Sequence, residues 1–262
     1  MSLPLLTAHD LSRSHRRRTS PLARSRVVTA LDGVSLSVAQ GERLGVVGES
    51  GAGKSTLARI LLALERPDSG EVTAGPHERP VPFGSRRRTR WFRSMVQMIP
   101  QDPGRSLNPR IRVGDSIAEP LHCLGFAGPH RDRVAEVLHA VGLDESMAWW
   151  YPHEFSGGQR QRLAIARAIA AGPELLIADE PVSALDATSR ARITELLREL
   201  STGRGLGLLL VSHDLGVVRR LCRRVVIMQG GRIVEQGRVD ELFSSPQHPY
   251  TRRLLDAVPE WT

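Results

Sequence analysis

The sequence predicts an α/β domain built around a parallel β-sheet. Three short apolar runs support this prediction, and they occupy residues 43–47, 175–178 and 208–211. Strands that are buried on both faces of a parallel sheet are near-continuous apolar runs. Their carboxyl ends meet at one edge of the sheet, where ligands bind. Polar or glycine-rich residues follow each of the three runs, so we expect the functional residues at that edge.

The length and composition suit a globular protein. The chain has 262 residues, enough for one large α/β domain or two small ones, and 40% of them are hydrophobic. No apolar run approaches the roughly 18 residues of a membrane-spanning helix. The apolar run at residues 1–6 is also too short for a signal peptide. We therefore expect a cytoplasmic protein whose association with a membrane is peripheral.

The chain is strongly basic, with a net charge of +8, and Lys54 is the only lysine among its 36 lysine and arginine residues. Such a charge would suit a nucleic-acid partner. However, the arginines are spread along the chain and aromatic residues make up only 4% of it, so we expect no nucleic-acid partner. Two arginine clusters, at residues 16–18 and 86–93, are interpreted as solvated loops. Contact with anionic lipid or with an acidic partner surface is the alternative.

The two cysteines, Cys123 and Cys222, stand far apart and form no C-x-x-C pair. Metal sites and redox motifs usually have such closely spaced pairs. Both cysteines are therefore predicted to be buried, small apolar residues in a reducing compartment.

A glycine-rich segment follows the first apolar run and precedes a predicted helix at residues 57–64. Its spacing, G-x-x-x-x-G-K-S, is that of a phosphate-binding loop whose backbone N–H groups surround a phosphate. In such a loop Lys54 reaches the β- and γ-phosphates, the Ser55 hydroxyl binds Mg²⁺, and Thr56 lies near the α-phosphate. The predicted nucleotide-binding residues here are Gly48, Glu49, Ser50, Gly51, Ala52, Gly53, Lys54, Ser55 and Thr56.

Two carboxylates, Asp179 and Glu180, end the apolar run that starts at Leu175. Asp179 is predicted to hold Mg²⁺ through its water shell. Glu180 is predicted to point at the γ-phosphate and to polarise an attacking water, a role that phosphoryl transfer requires. By itself, a strand can simply end in acidic residues; the upstream phosphate-binding loop favours the functional interpretation.

A second anion site is predicted where residues 156–159, Ser-Gly-Gly-Gln, begin an amphipathic helix that continues to Ala170. The Ser156 hydroxyl and the amides of Gly157 and Gly158 are suited to binding a phosphate at a helix N-terminus. The chain already has one phosphate-binding loop for the same nucleotide. The second site is therefore interpreted as serving a nucleotide held by another subunit.

These motifs together resemble the ATP-binding-cassette (ABC) ATPases. The order matches throughout: Walker A at 48–56, the Q-loop Gln101, the signature at 156–159 including Gln159, Walker B at 175–180, the D-loop at 183–186 and the switch His213. The resemblance implies a P-loop NTPase fold, with a RecA-like core, an antiparallel β subdomain and a helical subdomain at approximately 105–154. It also implies that 1–262 is a single ATPase domain that uses ATP and Mg²⁺.

The resemblance assigns further roles. Gln101 would touch the metal or the water, His213 would contact the γ-phosphate, and Asp186 would cross a dimer interface. The catalytic residues would then be Glu180, His213 and Gln101, and the Mg²⁺ ligands Ser55, Gln101 and Asp179. Each role has a structural alternative: Gln101 as a loop amide, His213 with Asp214 as a helix cap, and Asp186 as the N-cap of the next helix.

Several segments resemble the oligopeptide, dipeptide and nickel importer branch of this family. They are Gln101–Pro103, Ser106–Arg110, Tyr151–Glu154 and the His-Pro-Tyr element at approximately 244–262. Residues that couple to a transmembrane helix are expected between Asp102 and Leu107. The aromatic residue that stacks on adenine in relatives is missing upstream of the loop; His15 aligns best with it, and a solvated loop is the alternative.

The resemblance also implies partners. These are a second ATPase chain, identical or related, two transmembrane permease subunits, and an extracytoplasmic solute-binding protein reached through the permeases. The expected location is the cytoplasmic face of the cell membrane. A soluble ABC ATPase that acts on DNA or the ribosome is the main alternative, and Ser156–Gln159 opposes a GTPase. Peptides, nickel and metal chelates remain open as the transported substrate.

Overall fold

The computed structural model describes residues 4–17, 26–85, 87–203 and 205–257. Within these ranges the strands are β1 (Pro4–Arg17), β2 (Arg26–Ala39), β3 (Arg43–Val47), β4 (Ser69–Ala74), β5 (Arg79–Pro80), β6 (Val96–Ile99), β7 (Leu175–Asp179), β8 (Gly207–Ser212), β9 (Arg224–Gln229) and β10 (Arg232–Arg238). The α-helices are α1 (Lys54–Leu61), α2 (Arg90–Met95), α3 (Pro103–Ser106), α4 (Val113–Leu124), α5 (His130–Ala140), α6 (Gly157–Ala170), α7 (Ala187–Gly203), α8 (Leu215–Leu221), α9 (Val239–Ser244) and α10 (Pro249–Asp256).

The predicted parallel sheet is present, with strand order β10-β9-β3-β8-β7-β6. All neighbours in it are parallel except β10 and β9. Alternate residues of one strand point to opposite faces, and in β7 Leu176 packs in one hydrophobic core while Leu175 and Ile177 pack in the other. Both faces of the strand are therefore buried, so apolar residues are needed at successive positions. This explains the continuous apolar runs in the sequence.

A second, antiparallel sheet has the order β2-β1-β4-β5. Its inward side chains, among them Leu6 and Val38, share a core with α1 and with one face of the parallel sheet. This arrangement confirms the predicted antiparallel β layer. It places β2 beside the start of α1, next to the glycine-rich loop.

The segment between residues 103 and 154 contains helices α3, α4 and α5, followed by short 3₁₀ helices at Glu145–Trp149 and Pro152–Glu154. Its apolar side chains, such as Ile117 and Leu138, pack with Leu163 of α6 in the same core as the other face of the parallel sheet. The helical insert was predicted at approximately 105–154, and the first helix of this segment, α3, begins at Pro103. Among the described helices, none is both long and apolar enough to span a bilayer.

Helix α1 differs from its predicted bounds of 57–64, since it runs from Lys54 to Leu61. It begins early because Gly53, with φ of 103°, turns the loop straight into the helix, and the Gly53 carbonyl accepts the Leu57 N–H at 2.9 Å. It ends early because Ala63 takes a left-handed conformation, with φ of 53°, that no α-helix can continue through.

The arginine clusters are only partly loops. Arg16 lies in strand β1 and is exposed, and Arg87 lies in an exposed turn. Arg90 begins α2 and its guanidinium donates to the carbonyl of Leu124 at 2.8 Å, near the end of α4. Arg18 and Arg86 lie outside the described residues. The prediction of loops is thus wrong for Arg16, which belongs to a strand, and for Arg90, which belongs to a helix.

The two cysteines have different environments. Cys222 is buried at the end of α8, as predicted, and burial raises the pKa of its thiol to about 12. Cys123 is exposed near the end of α4, so its predicted burial is wrong. Among the described residues, no group of three or more His, Cys, Asp or Glu side chains is arranged to hold a metal ion.

This difference predicts selective thiol chemistry. At pH 8, iodoacetamide should alkylate only Cys123 in the native chain, because the thiolate is the nucleophile and Cys222 remains a buried thiol. After denaturation it should alkylate both cysteines. Mass spectrometry of tryptic peptides measures the modification at each cysteine. A Cys123→Ser variant should show almost no native labelling; rapid native labelling of Cys222 would contradict the prediction.

Candidate active site

The glycine-rich loop connects β3 to α1 at the carboxyl edge of the parallel sheet. Two glycines are required by close backbone approaches. A Cβ atom on Gly48 would lie 2.3 Å from the carbonyl oxygen of Met228, and one on Gly53 would lie 2.3 Å from that of Ala30. Gly53 also has a positive φ, which glycine adopts without strain. Strands β2 and β9 therefore fix the curvature of the loop.

Lys54 is the first residue of α1 and is only 7% exposed. Its ammonium donates to the carbonyl oxygens of Gly48 at 2.6 Å and of Glu49 at 2.8 Å. Burial lowers the pKa of Lys54, while the carboxylates of Glu180 and Asp179 act in the opposite direction. The loop thus curls around the one lysine of the chain and holds its charge at the centre.

Ser55 and Asp179 lie next to Lys54. Burial raises the pKa of Asp179, as does the neighbouring Glu180, while the nearby Ser55 hydroxyl lowers it. A hydroxyl and a carboxylate are the hard oxygen donors that Mg²⁺ prefers. The chemistry of this pair therefore fits the predicted metal site.

The three predicted catalytic residues also lie together. The Glu180 carboxylate is 3.0 Å from Nδ1 of His213 and accepts a hydrogen bond from the Gln101 amide at 3.2 Å. They meet because β6, β7 and β8 are adjacent parallel strands, and each of the three residues follows the end of one of them. Glu180 has φ of 48°, a conformation that is rare outside glycine and is often found at functional sites.

A cavity of about 330 Å³ joins the loop to this cluster. It is lined by Val28, Thr29, Ala30, Ser50, Gly51, Gly53, Lys54, Ser55, Thr56, Glu180 and His213. Six of the nine predicted residues of the glycine-rich loop thus line one cavity together with Glu180 and His213. The arrangement can hold a polyphosphate at the loop and present its far end to a carboxylate and an imidazole.

Sequence reasoning missed residues 28–30, which line the cavity from strand β2. Val28 is 42% exposed although it is apolar, and an apolar pair at residues 27–28 was the only signal in the sequence. His15 lies in β1 opposite Val28, so it belongs to a strand rather than to a solvated loop. Its Nε2 atom is 3.5 Å from a carboxylate oxygen of Glu65. His15 is not among the residues that line the cavity, and its contact with adenine stays a prediction.

The Ser-Gly-Gly-Gln segment does not reach this cavity within the chain. Ser156 and Gln159 form a capping box at the start of α6: Ser156 Oγ accepts the Gln159 N–H at 3.3 Å, and Gln159 Oε1 accepts the Ser156 N–H at 3.0 Å. None of residues 156–159 lines the cavity around Lys54. The two predicted phosphate sites are therefore separate in one chain.

Asp186 and Asp214 both cap helices, as the structural alternatives predicted. Asp186 Oδ1 accepts the Ser189 N–H at 2.9 Å, and Asp214 Oδ1 accepts the Gly216 N–H at 3.0 Å at the start of α8. Arg190, which sequence reasoning missed, donates to Asp214 at 3.0 Å. It therefore links the segment after Asp186 to the residue beside His213.

Family models match two parts of the chain. The model described as "ABC transporter" matches residues 31–183, which include the glycine-rich loop, the Ser-Gly-Gly-Gln segment and the acidic pair. The model described as "Oligopeptide/dipeptide transporter, C-terminal region" matches residues 234–262, which include the His-Pro-Tyr element.

Individual proteins agree with this assignment. The chain is 49% identical over 234 residues to the oligopeptide transport ATP-binding protein OppD of Mycobacterium tuberculosis, and the match covers 89% of the chain and 38% of that relative. It is 42% identical to the dipeptide transport ATP-binding protein DppF of Haemophilus influenzae, over 98% of the chain and 78% of that relative.

The fold also matches a solved structure, the dimeric, post-hydrolysis ATP-binding cassette MJ0796 bound to ADP and Pi. The TM-score is 0.77 at 28% identity, and the match covers 89% of this chain and 98% of the other. The predicted fold class is thereby confirmed. The sequence motifs, the parallel sheet with its phosphate-binding loop, and these matches lead to one conclusion: the chain belongs to the ABC transporter family of ATP-binding cassettes.

Proposed function

We propose that the chain binds and hydrolyses ATP to energise an importer of peptides at the cytoplasmic face of a membrane. The observation that carries this proposal is the cluster of Gln101, Glu180 and His213 at the end of the cavity that holds Lys54. We further propose that the whole sequence, 1–262, belongs to one ATPase domain with a helical subdomain near 105–154.

The chemistry proposed for the cavity is transfer of the γ-phosphoryl group to water. The Glu180 carboxylate orients the water and accepts its proton as the water oxygen bonds to phosphorus and the bond to the β-phosphate oxygen breaks. His213 and Gln101 hold that carboxylate from two sides. Ser55, Asp179 and Gln101 would hold Mg²⁺, which supplies positive charge to the phosphate oxygens.

A second ATPase chain is proposed to complete each site. The separation of Ser156 from the Lys54 cavity supports this, as does the exposure of Ser156 and Gly157 at the start of α6. The similar cassette MJ0796 is dimeric. In the proposed pair, Ser156 of one chain and Lys54 of the other face the same nucleotide, and Asp186 lies at the interface.

A substitution at Ser156 should separate binding from hydrolysis. In Ser156→Arg, the isolated chain should bind ATP with unchanged affinity because its own Lys54 cavity is intact. ATP hydrolysis by the assembled transporter should fall by about 100-fold or more, because the added side chain occupies the space for the partner's phosphate. Nucleotide titration and phosphate release measure the two effects. Loss of affinity in the isolated chain would place Ser156 in the same chain's site and contradict the proposal.

The permeases are proposed to contact the helical segment, near Asp102–Leu107 and the groove beside it. Among the described residues, four of the seven exposed large apolar side chains belong to the helical segment: Phe126, Trp149, Trp150 and Tyr151. The other three, Val27, Val28 and Leu64, lie elsewhere. Exposed apolar groups of this kind mark protein interfaces, and a groove of about 650 Å³ lies between α4, α5 and Trp149.

The experiment that tests the function is purification of the tagged chain with its partners from detergent-solubilised membranes. Integral permease subunits should co-purify, and the ATPase rate should rise when a peptide-loaded binding protein is added. Stimulation by a nickel-loaded binding protein instead would change the substrate class. Co-purification with ribosomes or DNA, without permeases, would overturn the transport proposal in favour of a soluble ABC ATPase.

A further inference from the structure

The C-terminal element folds back onto the phosphate-binding loop. Tyr250, in the first turn of α10, is only 2% exposed and packs in the same core as Val47 and Ile227 of β3 and β9. Its hydroxyl oxygen accepts a hydrogen bond from the backbone N–H of Glu49 at 2.9 Å. A residue 201 positions later in the chain thus contacts the second residue of the loop.

This contact acts on the same peptide group as Lys54 does. The N–H of Glu49 and the carbonyl of Gly48 belong to one planar trans peptide, so they point in opposite directions. The Lys54 ammonium donates to that carbonyl at 2.6 Å, while the Tyr250 hydroxyl accepts from the N–H. The peptide is therefore held on both edges, and its rotation would move the oxygen that positions the lysine.

Each residue of the His-Pro-Tyr element contributes to this contact. His248 is the N-cap of α10 and its Nδ1 atom accepts the Tyr250 N–H at 3.2 Å. Pro249 occupies the first helical position, where a missing N–H costs nothing. The Glu235 carboxylate of β10 accepts the backbone N–H groups of Gln247 and His248 at 2.8 and 3.1 Å. The element is thus anchored to the sheet, and the ring of Tyr250 reaches the loop.

We propose that Tyr250 is a positioning residue of the nucleotide site, and that the His-Pro-Tyr element sets the affinity of the phosphate-binding loop for ATP by fixing the Gly48–Glu49 peptide. This inference rests on the proposed ATP binding. Burial raises the pKa of the Tyr250 hydroxyl, so the group stays neutral at physiological pH and does not bring a negative charge near the phosphates.

The decisive variant is Tyr250→Phe, which keeps the buried ring and removes only the hydroxyl. Ser201→Ala is the matched control, because it also removes one buried hydroxyl that is hydrogen-bonded to the backbone. That hydroxyl donates to the Leu206 carbonyl at 2.6 Å, just before β8 begins and therefore at the sheet edge opposite the loop. We expect Tyr250→Phe to raise the KM and the Kd for ATP by roughly three- to tenfold, the range for loss of one hydrogen bond. The kcat should stay within about twofold, and the control should match the wild type.

The outcomes separate a positioning role from packing. A lower melting temperature with unchanged KM and Kd would mean that Tyr250 only fills the core, and it would overturn the inference. A wild-type chain that fails to bind ATP would instead overturn the proposed function itself.

Hydrogen–deuterium exchange tests the contact directly. In Tyr250→Phe the amide of Glu49 should exchange faster, while the amides of β3 should keep their protection because that strand does not depend on the hydroxyl. Unchanged exchange at Glu49 would overturn the inference even if the affinity fell.

Discussion

Replacing Glu180 with Gln should lower the kcat for ATP hydrolysis by about 100-fold or more and leave the affinity for ATP unchanged. The amide is nearly isosteric with the carboxylate but cannot accept a proton from water, and general-base catalysis typically contributes 10²–10⁴-fold. The substitution should not displace Lys54 or Ser55, which we propose to bind the phosphates and Mg²⁺, respectively. Single-turnover phosphate release and equilibrium nucleotide binding measure the two quantities separately.

A control for the Glu180 variant is Glu195→Gln, which changes an exposed carboxylate on α7 that is paired with Arg198. This variant should hydrolyse ATP at the wild-type rate. If Glu180→Gln retained near-wild-type turnover, another group would have to activate the water. His213, at 3.0 Å from Glu180, would then be the first to test.

Replacing Lys54 with Ala should weaken ATP binding by roughly 10- to 100-fold, because charge-assisted hydrogen bonds to phosphate are worth about 1.5–3 kcal/mol. Lys54→Arg should also bind weakly, although it keeps the charge. The ammonium is buried between the carbonyls of Gly48 and Glu49, and a planar guanidinium is wider than that space. Fluorescent-nucleotide titration measures the affinity.

Arg59→Ala is a suitable control for the lysine variants, since Arg59 lies on the same helix but its side chain is half exposed and paired with Glu65. Its nucleotide affinity should remain within about twofold of the wild type. If Lys54→Ala bound ATP with the same affinity as the wild type, the glycine-rich loop would not be part of the nucleotide site. That result would contradict the proposed ATP binding, on which the proposed function depends.

Much of the site could be predicted because the residues that carry it are short-range patterns. The Gly48–Thr56 spacing, the pair Asp179–Glu180 and the apolar runs before them are local features, and each one implies a strand, a turn or a helix start. The predicted positions of β3, β7 and β8 were therefore nearly correct. The start of α1 was predicted incorrectly. It depends on the left-handed backbone conformation of Gly53, which lies close to Ala30 of another strand.

Other features depend on distant parts of the chain and left no local signal. Cys123 is exposed because the rest of the fold leaves its face of α4 uncovered. Its residue type alone therefore did not predict its exposure. Residues 28–30 line the cavity only because β2 pairs with β1 and passes beside the loop. The link between Arg190 and Asp214 joins helices that are separate in sequence.

The sequence by itself determined the fold class, the phosphate-binding loop and the identity of the residues at the edge of the sheet, because backbone propensities and residue spacing encode these locally. Only the tertiary structure decided how those residues meet. Parallel pairing of β6, β7 and β8 brings Gln101, Glu180 and His213 within hydrogen-bonding distance. Packing of α10 against the core brings the Tyr250 hydroxyl to Glu49, a contact whose partners are too far apart in the chain for any local pattern to specify.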